Sequence, residues 1–125
     1  MNTNRKSILL VDDNAIVRKS LCERFEAAGF VCIEAENGAQ GLELAKRLQP
    51  NLIVLDFSMP VMNGLEAAPL FKKMFPETPI IMFTMFANEA FVKVAVAAGV
   101  TEVISKDRAS HLMPRVRSLM KSRGE

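Results

Sequence analysis

Five short runs of mostly aliphatic residues recur along the chain, and longer segments of helical periodicity separate them. The runs cover 8–11, 31–35, 52–55, 80–83 and 100–104. Each run is too short for a helix, whereas the segments between them repeat apolar residues every three or four positions, as in Val17, Leu21 and Phe25. Strands that read as continuous apolar runs are buried on both faces. The alternation therefore predicts about five βα units and a parallel sheet between two helix layers.

Glycine, asparagine and proline mark the limits of several predicted helices. Gly29 and Gly99 lie where the preceding helices must stop. Asn63 and Glu66 have the spacing of a capping box, which indicates a helix start. Pro69 falls inside the third predicted helix, where it removes an internal hydrogen bond, so we expect a kink or a late start in that helix.

The composition is that of an ordinary globular domain. The chain has 125 residues, of which 50% are hydrophobic and 24% are charged, and these values exclude disordered and collagen-like classes. A chain of this length can fold as one domain without disulfide or metal staples, so we expect a single domain over 1–125. The formal net charge of +2 is too small to indicate a nucleic-acid-binding protein by itself.

Nothing in the sequence indicates export or membrane insertion. Residues 1–6 are polar, unlike a signal peptide, and no apolar run approaches the roughly 18 residues that a membrane helix needs. We therefore expect a cytoplasmic protein that does not bind membranes. Cys22 and Cys32 have apolar neighbours and match no CxxC spacing, so we expect both to be reduced thiols in the core.

A group of polar residues stands at the carboxyl ends of the predicted strands. Asp12 and Asp13 follow the first strand, and Asp56 follows the third. Thr84 ends the fourth strand, and Lys106 follows the fifth. In a doubly wound sheet the ligand crevice lies beyond these strand ends. The convergence of residues so distant in sequence is the strongest functional signal in the chain.

Each of these residues also has an ordinary structural role. An acid after a strand often caps the next helix, a strand-end threonine satisfies backbone groups, and a lone lysine is usually a solvated charge. Asp56 is harder to explain in this way, because it directly follows four aliphatic residues and precedes a turn. Because it is improbable that all of them are incidental together, we interpret them as one site.

The chemistry of this group favours phosphoryl transfer. Three carboxylates in one crevice repel each other unless a cation lies between them. Mg²⁺ prefers oxygen ligands and is commonly held by one or two carboxylates with a substrate phosphate. Lys106 then offers a positive charge to phosphate oxygens and Thr84 a hydroxyl donor. Asp56, on the inner strand, is the best candidate for a nucleophile that forms an acyl phosphate.

These residues resemble the receiver domain of bacterial two-component response regulators. The likeness consists of Val-Asp-Asp-Asn at 11–14, Leu-Asp-Phe-Ser-Met-Pro-Val-Met-Asn-Gly at 55–64, then Thr84, Gly99 and the Ser-Lys pair at 105–106. The pattern Asp-x-x-Met-Pro-x-Met-x-Gly is its most specific part. The resemblance covers about 6–121, which we take as the core of the domain.

The resemblance implies a flavodoxin-like (CheY-like) α/β fold with a five-stranded parallel sheet in the order 2-1-3-4-5. It also implies that a sensor histidine kinase or a phosphotransfer protein passes its phosphoryl group to Asp56. Such a domain is a phosphoacceptor that assists its own phosphorylation and dephosphorylation, and is not otherwise an enzyme.

The resemblance further implies roles for the remaining site residues. Asp13, Asp56 and the backbone carbonyl of Ser58 would bind Mg²⁺ directly, and Asp12 would assist through water. Thr84 and Lys106 would contact the phosphoryl oxygens.

Three residues depart from the usual receiver pattern. Val103 stands where receivers usually have Tyr or Phe, so the aromatic switch that accompanies the threonine movement is missing. Met85 follows Thr84 where a small residue is common, and we expect it to crowd access to Asp56. Asp107 replaces a frequent proline, as in receivers attached to helix-turn-helix domains. A binding module of receiver fold that acts without phosphorylation is therefore the alternative function.

Two other functions fit the residues poorly. A flavodoxin needs a hydroxyl-rich or glycine-rich loop after strand one to bind the cofactor phosphate, and Asp12 and Asp13 would repel it. A haloacid dehalogenase-type phosphatase needs an acid two residues after its nucleophile, where this chain has Ser58.

The last two helices predict where partners bind. The fourth helix has apolar residues on most faces, so we expect an outer strip of Phe91 and Val94 to be exposed next to strand five. The family uses its fourth helix, fifth strand and fifth helix for association, and we expect a homodimer or an output partner there. The basic residues of the last helix, which are Arg115, Arg117, Lys121 and Arg123, are interpreted as a solvated face, not a nucleic-acid surface.

Overall fold

The computed structural model describes residues 5–124 as one parallel sheet with helices on both faces. The elements in chain order are β1 (Ser7–Val11), α1 (Ala15–Ala27), β2 (Val31–Ala35), α2 (Gly38–Leu48), β3 (Leu52–Leu55), α3 (Gly64–Met74), β4 (Ile80–Thr84), α4 (Glu89–Ala97), β5 (Glu102–Ser105) and, after a 3₁₀ helix over Lys106–His111, α5 (Leu112–Gly124). The sheet order is β2-β1-β3-β4-β5. The predicted flavodoxin-like architecture is confirmed.

The aliphatic runs form the strands with small shifts at their ends. The fifth strand begins at Glu102, later than the predicted position 100. The preceding turn closes onto β4 through Thr101, whose N–H donates to the Ile80 carbonyl at 2.8 Å. The Thr101 hydroxyl in turn accepts from the Ile80 N–H at 2.9 Å. These two bonds fix the register in which β5 joins the sheet.

Two apolar clusters, one on each face of the sheet, form the core. On one face, Phe25 of α1 and Val116 of α5 pack with Ile8 and Leu10 of β1. On the other face, the cluster contains Phe71 of α3 together with side chains of α2 and α4. The central strands β1, β3 and β4 are buried almost throughout, but the edge strands β2 and β5 are partly exposed. Burial is therefore less complete at the two edge strands than predicted, and each of these has a neighbouring strand on one side alone.

The predicted helix limits agree with the structure except at the start of α3. Asn63 and Glu66 form the capping box of α3, with reciprocal bonds of 2.9 and 3.0 Å. Gly29 and Gly99 follow α1 and α4 with φ values of +98° and +109°, in the region that favours glycine. Pro69 lies inside α3, which begins at Gly64, so the late helix start is wrong. Pro69 is on the exposed side of the helix, and a kink there stays a prediction.

The prediction that Cys22 and Cys32 are reduced thiols is also wrong. Cys22 of α1 and Cys32 of β2 form a disulfide, with their Cα atoms 5.5 Å apart. This separation is typical of a disulfide. Sequence spacing could not reveal the bond, because the pairing depends on α1 packing against the face of β2 that carries Cys32.

The predictions for the chain ends fall partly outside the described residues. Residues 1–4, in the polar segment that argued against a signal peptide, and the side chain of Arg123 lie outside them. Within 5–124, none of the helices has the length and apolar character needed to cross a membrane.

Candidate functional site

The ends of β1 and β3 bring three carboxylates together. Asp12 and Asp56 follow these neighbouring strands, and the Asp56 N–H donates to the Val11 carbonyl at 2.9 Å. Carboxylate oxygens of Asp12, Asp13 and Asp56 all lie within 4.8 Å of one another. Asp12 and Asp56 are buried, whereas Asp13 is exposed. The predicted meeting of these acids at one sheet edge is confirmed.

Lys106 supplies the positive charge in this cluster. Its ammonium Nζ lies 2.9 Å from Asp12 Oδ2 and 3.5 Å from Asp56 Oδ2. Burial acts to lower the pKa of Lys106, but the hydrogen bond and charge of Asp12, with those of Asp56, outweigh it and raise the pKa overall. Lys106 is thus held protonated between two carboxylates.

Asp56 is in an environment that opposes its ionisation. Burial, followed by the negative charge of Asp12, raises the pKa of Asp56 above the ordinary value. Three contacts lower the pKa of Asp56 without cancelling that effect. They are the charge of Lys106, a 2.8 Å hydrogen bond from the Phe57 N–H to Oδ1, and the Thr84 side chain. An additional cation at this edge would therefore be favourable.

Asp12 is the most firmly held of the three acids. Its Oδ1 accepts from the Asn14 N–H at 2.9 Å, while Oδ2 accepts from Lys106. The Asp12 carbonyl accepts from Arg18 Nη1 at 2.7 Å. The Asn14 side chain caps α1, so the turn after β1 and the start of α1 are one hydrogen-bonded unit.

Thr84 and Ser58 lie in different surroundings. Thr84 is fully buried at the end of β4, and its Oγ1 accepts from the Phe86 N–H at 3.3 Å. Ser58 is exposed in the loop between β3 and α3, a loop closed by a 2.9 Å hydrogen bond from the Gly64 N–H to the Phe57 carbonyl. The assignment of the Ser58 carbonyl as a metal ligand stays a prediction.

The three residues that depart from the usual pattern differ in their surroundings. Met85 is 59% exposed, so its side chain extends largely into solvent. Val103 is half-buried and packs against the apolar cluster that includes α3 and α4. Asp107 is exposed, and its N–H donates to the Ser105 hydroxyl at 3.1 Å.

Sequence reasoning missed two features of this edge. Arg18 connects α1 to Asp12, and the only signal for it is a basic residue four positions after Asn14. Phe57 makes edge-to-face contacts with Phe86 and Phe91, at ring-centroid distances of 5.4 and 5.2 Å. These aromatic contacts join the loops after β3 and β4 to α4, and no local pattern in the sequence indicates them.

The donor set of the acidic cluster fits a hard divalent cation. Three carboxylates offer oxygen ligands within a small volume, and burial, followed by the charge of Asp12, raises the pKa of Asp56. Mg²⁺ binds such groups and keeps several waters, which suits a cluster with one exposed member, Asp13.

Comparisons with known proteins agree with this geometry. The model of the response regulator receiver domain family matches residues 8–117. The chain is 38% identical to the chemotaxis protein CheY of Halobacterium salinarum over 101 residues, which are 81% of this chain and 84% of that protein. A CheY-like receiver domain protein from Methanospirillum hungatei superposes with a TM-score of 0.89 at 25% identity, over 95% of this chain and 96% of that chain. A chain of the CheX–CheY–BeF₃–Mg²⁺ complex from Borrelia burgdorferi superposes with a TM-score of 0.84 at 28% identity, over 91% and 88%.

Proposed function

The chain belongs to the response regulator receiver domain family, and on that premise we propose that it accepts a phosphoryl group on Asp56 from a histidine kinase or a phosphotransfer protein. The observation that carries the proposal is the position of Lys106, whose Nζ reaches the carboxylates of both Asp12 and Asp56. One lysine cation beside two buried acids is an arrangement that can receive a phosphoryl group as a third anionic partner.

The Asp56 carboxylate is the proposed nucleophile. One of its oxygens attacks the phosphorus, the bond between phosphorus and the donor's leaving atom breaks, and the leaving group keeps the electron pair. The Lys106 ammonium group then contacts the phosphoryl oxygens, which carry the new negative charge. The Thr84 hydroxyl donates a hydrogen bond to one of these oxygens. The site thus stabilises charge that develops during transfer, which is the main contribution of proteins to this reaction.

Receiver domains bind Mg²⁺ at an acidic cluster, and here the cluster is Asp12, Asp13 and Asp56. In our proposal Asp13, Asp56 and the Ser58 carbonyl bind the ion directly, and Asp12 acts through water. Bound Mg²⁺ supplies the positive charge that lets three carboxylates and a phosphoryl group share one edge. A similar structure, the CheX–CheY complex of Borrelia burgdorferi, contains BeF₃ and Mg²⁺.

The proposed output surface consists of α4, β5 and α5. Val94 and Val96 on α4 are 55% and 50% exposed, which supports an apolar contact surface. We expected Phe91 to be exposed beside Val94, but it is half-buried and contacts Phe57. It is therefore better placed to connect the exposed face of α4 with the acidic cluster. We propose that a second copy or an output protein binds here, in the cytoplasm, and that phosphorylation strengthens the contact.

The alternative is a receiver-fold binding module that acts without phosphorylation, which Val103 and Met85 favour. Incubation with acetyl phosphate and Mg²⁺, followed by intact mass measurement, separates the two functions. The proposal predicts one added phosphoryl group per chain, lost when a chelator replaces Mg²⁺ and absent in Asp56→Asn. An unmodified wild-type mass under all conditions would favour the alternative.

A further inference from the structure

Two consecutive links join α1 to the edge strand β2. Arg18 Nε donates to Glu34 Oε1 at 3.0 Å, and one helical turn later Cys22 is bonded to Cys32. Residues four apart on a helix share a face, as do residues two apart on a strand. Both links therefore join the same face of α1 to the same face of β2.

The two ends of the disulfide differ in their access to solvent. Cys22 is 7% exposed and belongs to the apolar cluster between the sheet and helices α1 and α5. Cys32 is half-buried and lies on β2, which is an edge strand of the described sheet. Cys32 is therefore the more exposed residue of the pair, and we take it as the one that a reagent in solution reaches first.

The surroundings of the pair suit two thiols as well as a disulfide. Cys22 packs in the same apolar cluster as Leu21 and Phe25, and a free cysteine packs as a small hydrophobic residue. The sheet and its two apolar clusters extend well beyond this pair. A domain of this size does not need a disulfide in order to fold. The bond can therefore break without loss of the fold.

We infer that Cys22 and Cys32 form a reversible thiol–disulfide couple, which exchanges with small disulfides of the glutathione type and sets how firmly α1 is held against β2. In the oxidising direction, the Cys32 thiolate attacks the small disulfide, forms a mixed disulfide and releases one small thiolate. The Cys22 thiolate then attacks the Cys32 sulfur and releases the second small thiolate. The two cysteines lose two electrons and two protons, and the small disulfide gains the electrons as two thiols.

Arg18 connects the cysteine couple to the acidic cluster of Asp12, Asp13 and Asp56. This residue lies one turn before Cys22 and donates to the Asp12 carbonyl at 2.7 Å. Formation of the disulfide closes a loop with a sequence separation of 10 between α1 and β2. Restriction of that loop in the unfolded chain stabilises the native state. The covalent link also opposes local separation of α1 from β2, so the oxidised form should keep α1, and with it Arg18, more rigidly in place.

Redox titration of the wild-type protein tests the inference. Native protein is equilibrated in buffers of reduced and oxidised glutathione, and free thiols are alkylated and counted by intact mass. We expect a change from two labelled cysteines to none across the glutathione series, without any denaturant. We also expect the oxidised form to melt on the order of 10 °C higher than the reduced form, with slower amide hydrogen exchange in α1 and β2.

Single-cysteine variants test the order of the steps. In Cys22→Ala, oxidised glutathione should form a mixed disulfide on Cys32. In Cys32→Ala, Cys22 should react at least about tenfold more slowly, because its modification needs local opening of the core. Two thiols that persist in the most oxidising buffer, or a disulfide that resists reduction until the protein is unfolded, would overturn the inference.

Discussion

Asp56 lies in surroundings that disfavour its own charge, and this has a consequence for stability. Burial and Asp12 raise the pKa of Asp56, so the folded protein binds a proton at this site more readily than the unfolded chain does. Above the folded pKa the carboxylate is ionised in both states, and its unfavourable surroundings reduce stability. Well below the ordinary carboxyl pKa of 3.8 it is protonated in both states, and that cost is absent.

Asp56→Asn should therefore stabilise the metal-free protein at neutral pH. The variant removes the buried charge and keeps an oxygen that can accept from the Phe57 N–H. We expect the free energy of unfolding in chelator to rise by about 1 kcal/mol at pH 7, the usual size of a single-site effect. The advantage over wild type should shrink as the pH falls through the pKa of Asp56. Urea denaturation across pH checks both points, and a less stable variant at pH 7 would contradict them.

Lys106→Met should have the opposite effect in chelator. The substitution leaves Asp12, which is 2% exposed, as a buried charge without its 2.9 Å partner. Breaking a buried pair in this way costs about 3 kcal/mol. Mg²⁺ should restore part of the loss, because the ion supplies another positive charge beside Asp12. Lys93→Met, which removes an exposed lysine of α4, is the control and should change stability by less than about 0.5 kcal/mol. Equal losses in the two variants would be evidence against this role of Lys106.

Among the helices, α3 begins at Gly64, and the backbone of this residue passes close to that of Asp56. A Cβ atom on Gly64 would collide with the Asp56 carbonyl oxygen, and would also lie 2.9 Å from Met82 Cε. The capping box of Asn63 then fixes the helix start at this point. The start of α3 and the position of Asp56 are therefore coupled.

Gly64→Ala should destabilise the protein by about 1–3 kcal/mol, because the collision forces a backbone shift. It should also reduce labelling of Asp56 by acetyl phosphate. Gly29→Ala is the matched control: its positive φ of +98° makes alanine unfavourable, but no atom lies within 4 Å of the added Cβ. We expect the control to lose stability and to retain labelling. Normal labelling of Gly64→Ala would show that the helix start does not position Asp56.

The sequence predicts the helices and strands better than it predicts the contacts between them. Continuous apolar runs, turn glycines and the capping box depend on neighbours in the chain, so they predict strands and helix limits well. The site acids were predictable because parallel strands place their carboxyl ends at one edge. The Arg18–Asp12 bond, the Phe57 contacts and the Cys22–Cys32 pair depend on which faces of different elements meet. That information is absent from a local pattern.

At the scale of the whole molecule, the proposed output is a change in association. Val94→Lys places a charge on the exposed face of α4, where Val94 is now 55% exposed. We expect wild type to sediment as a larger species when beryllofluoride and Mg²⁺ are present, and Val94→Lys to remain monomeric. The result follows from the cost of burying a lysine in an apolar contact. A wild-type monomer under every condition, with no effect of the lysine, would exclude self-association through this face.

In the proposed function, one carboxylate of the acidic cluster, that of Asp56, carries the phosphoryl group. Treatment of the acetyl-phosphate-labelled protein with borohydride reduces an aspartyl phosphate to homoserine, and peptide mass mapping then locates it. We expect homoserine at Asp56 alone, in samples that contained Mg²⁺. Homoserine at Asp12 or Asp13, or none in a fully Mg²⁺-loaded sample, would contradict it.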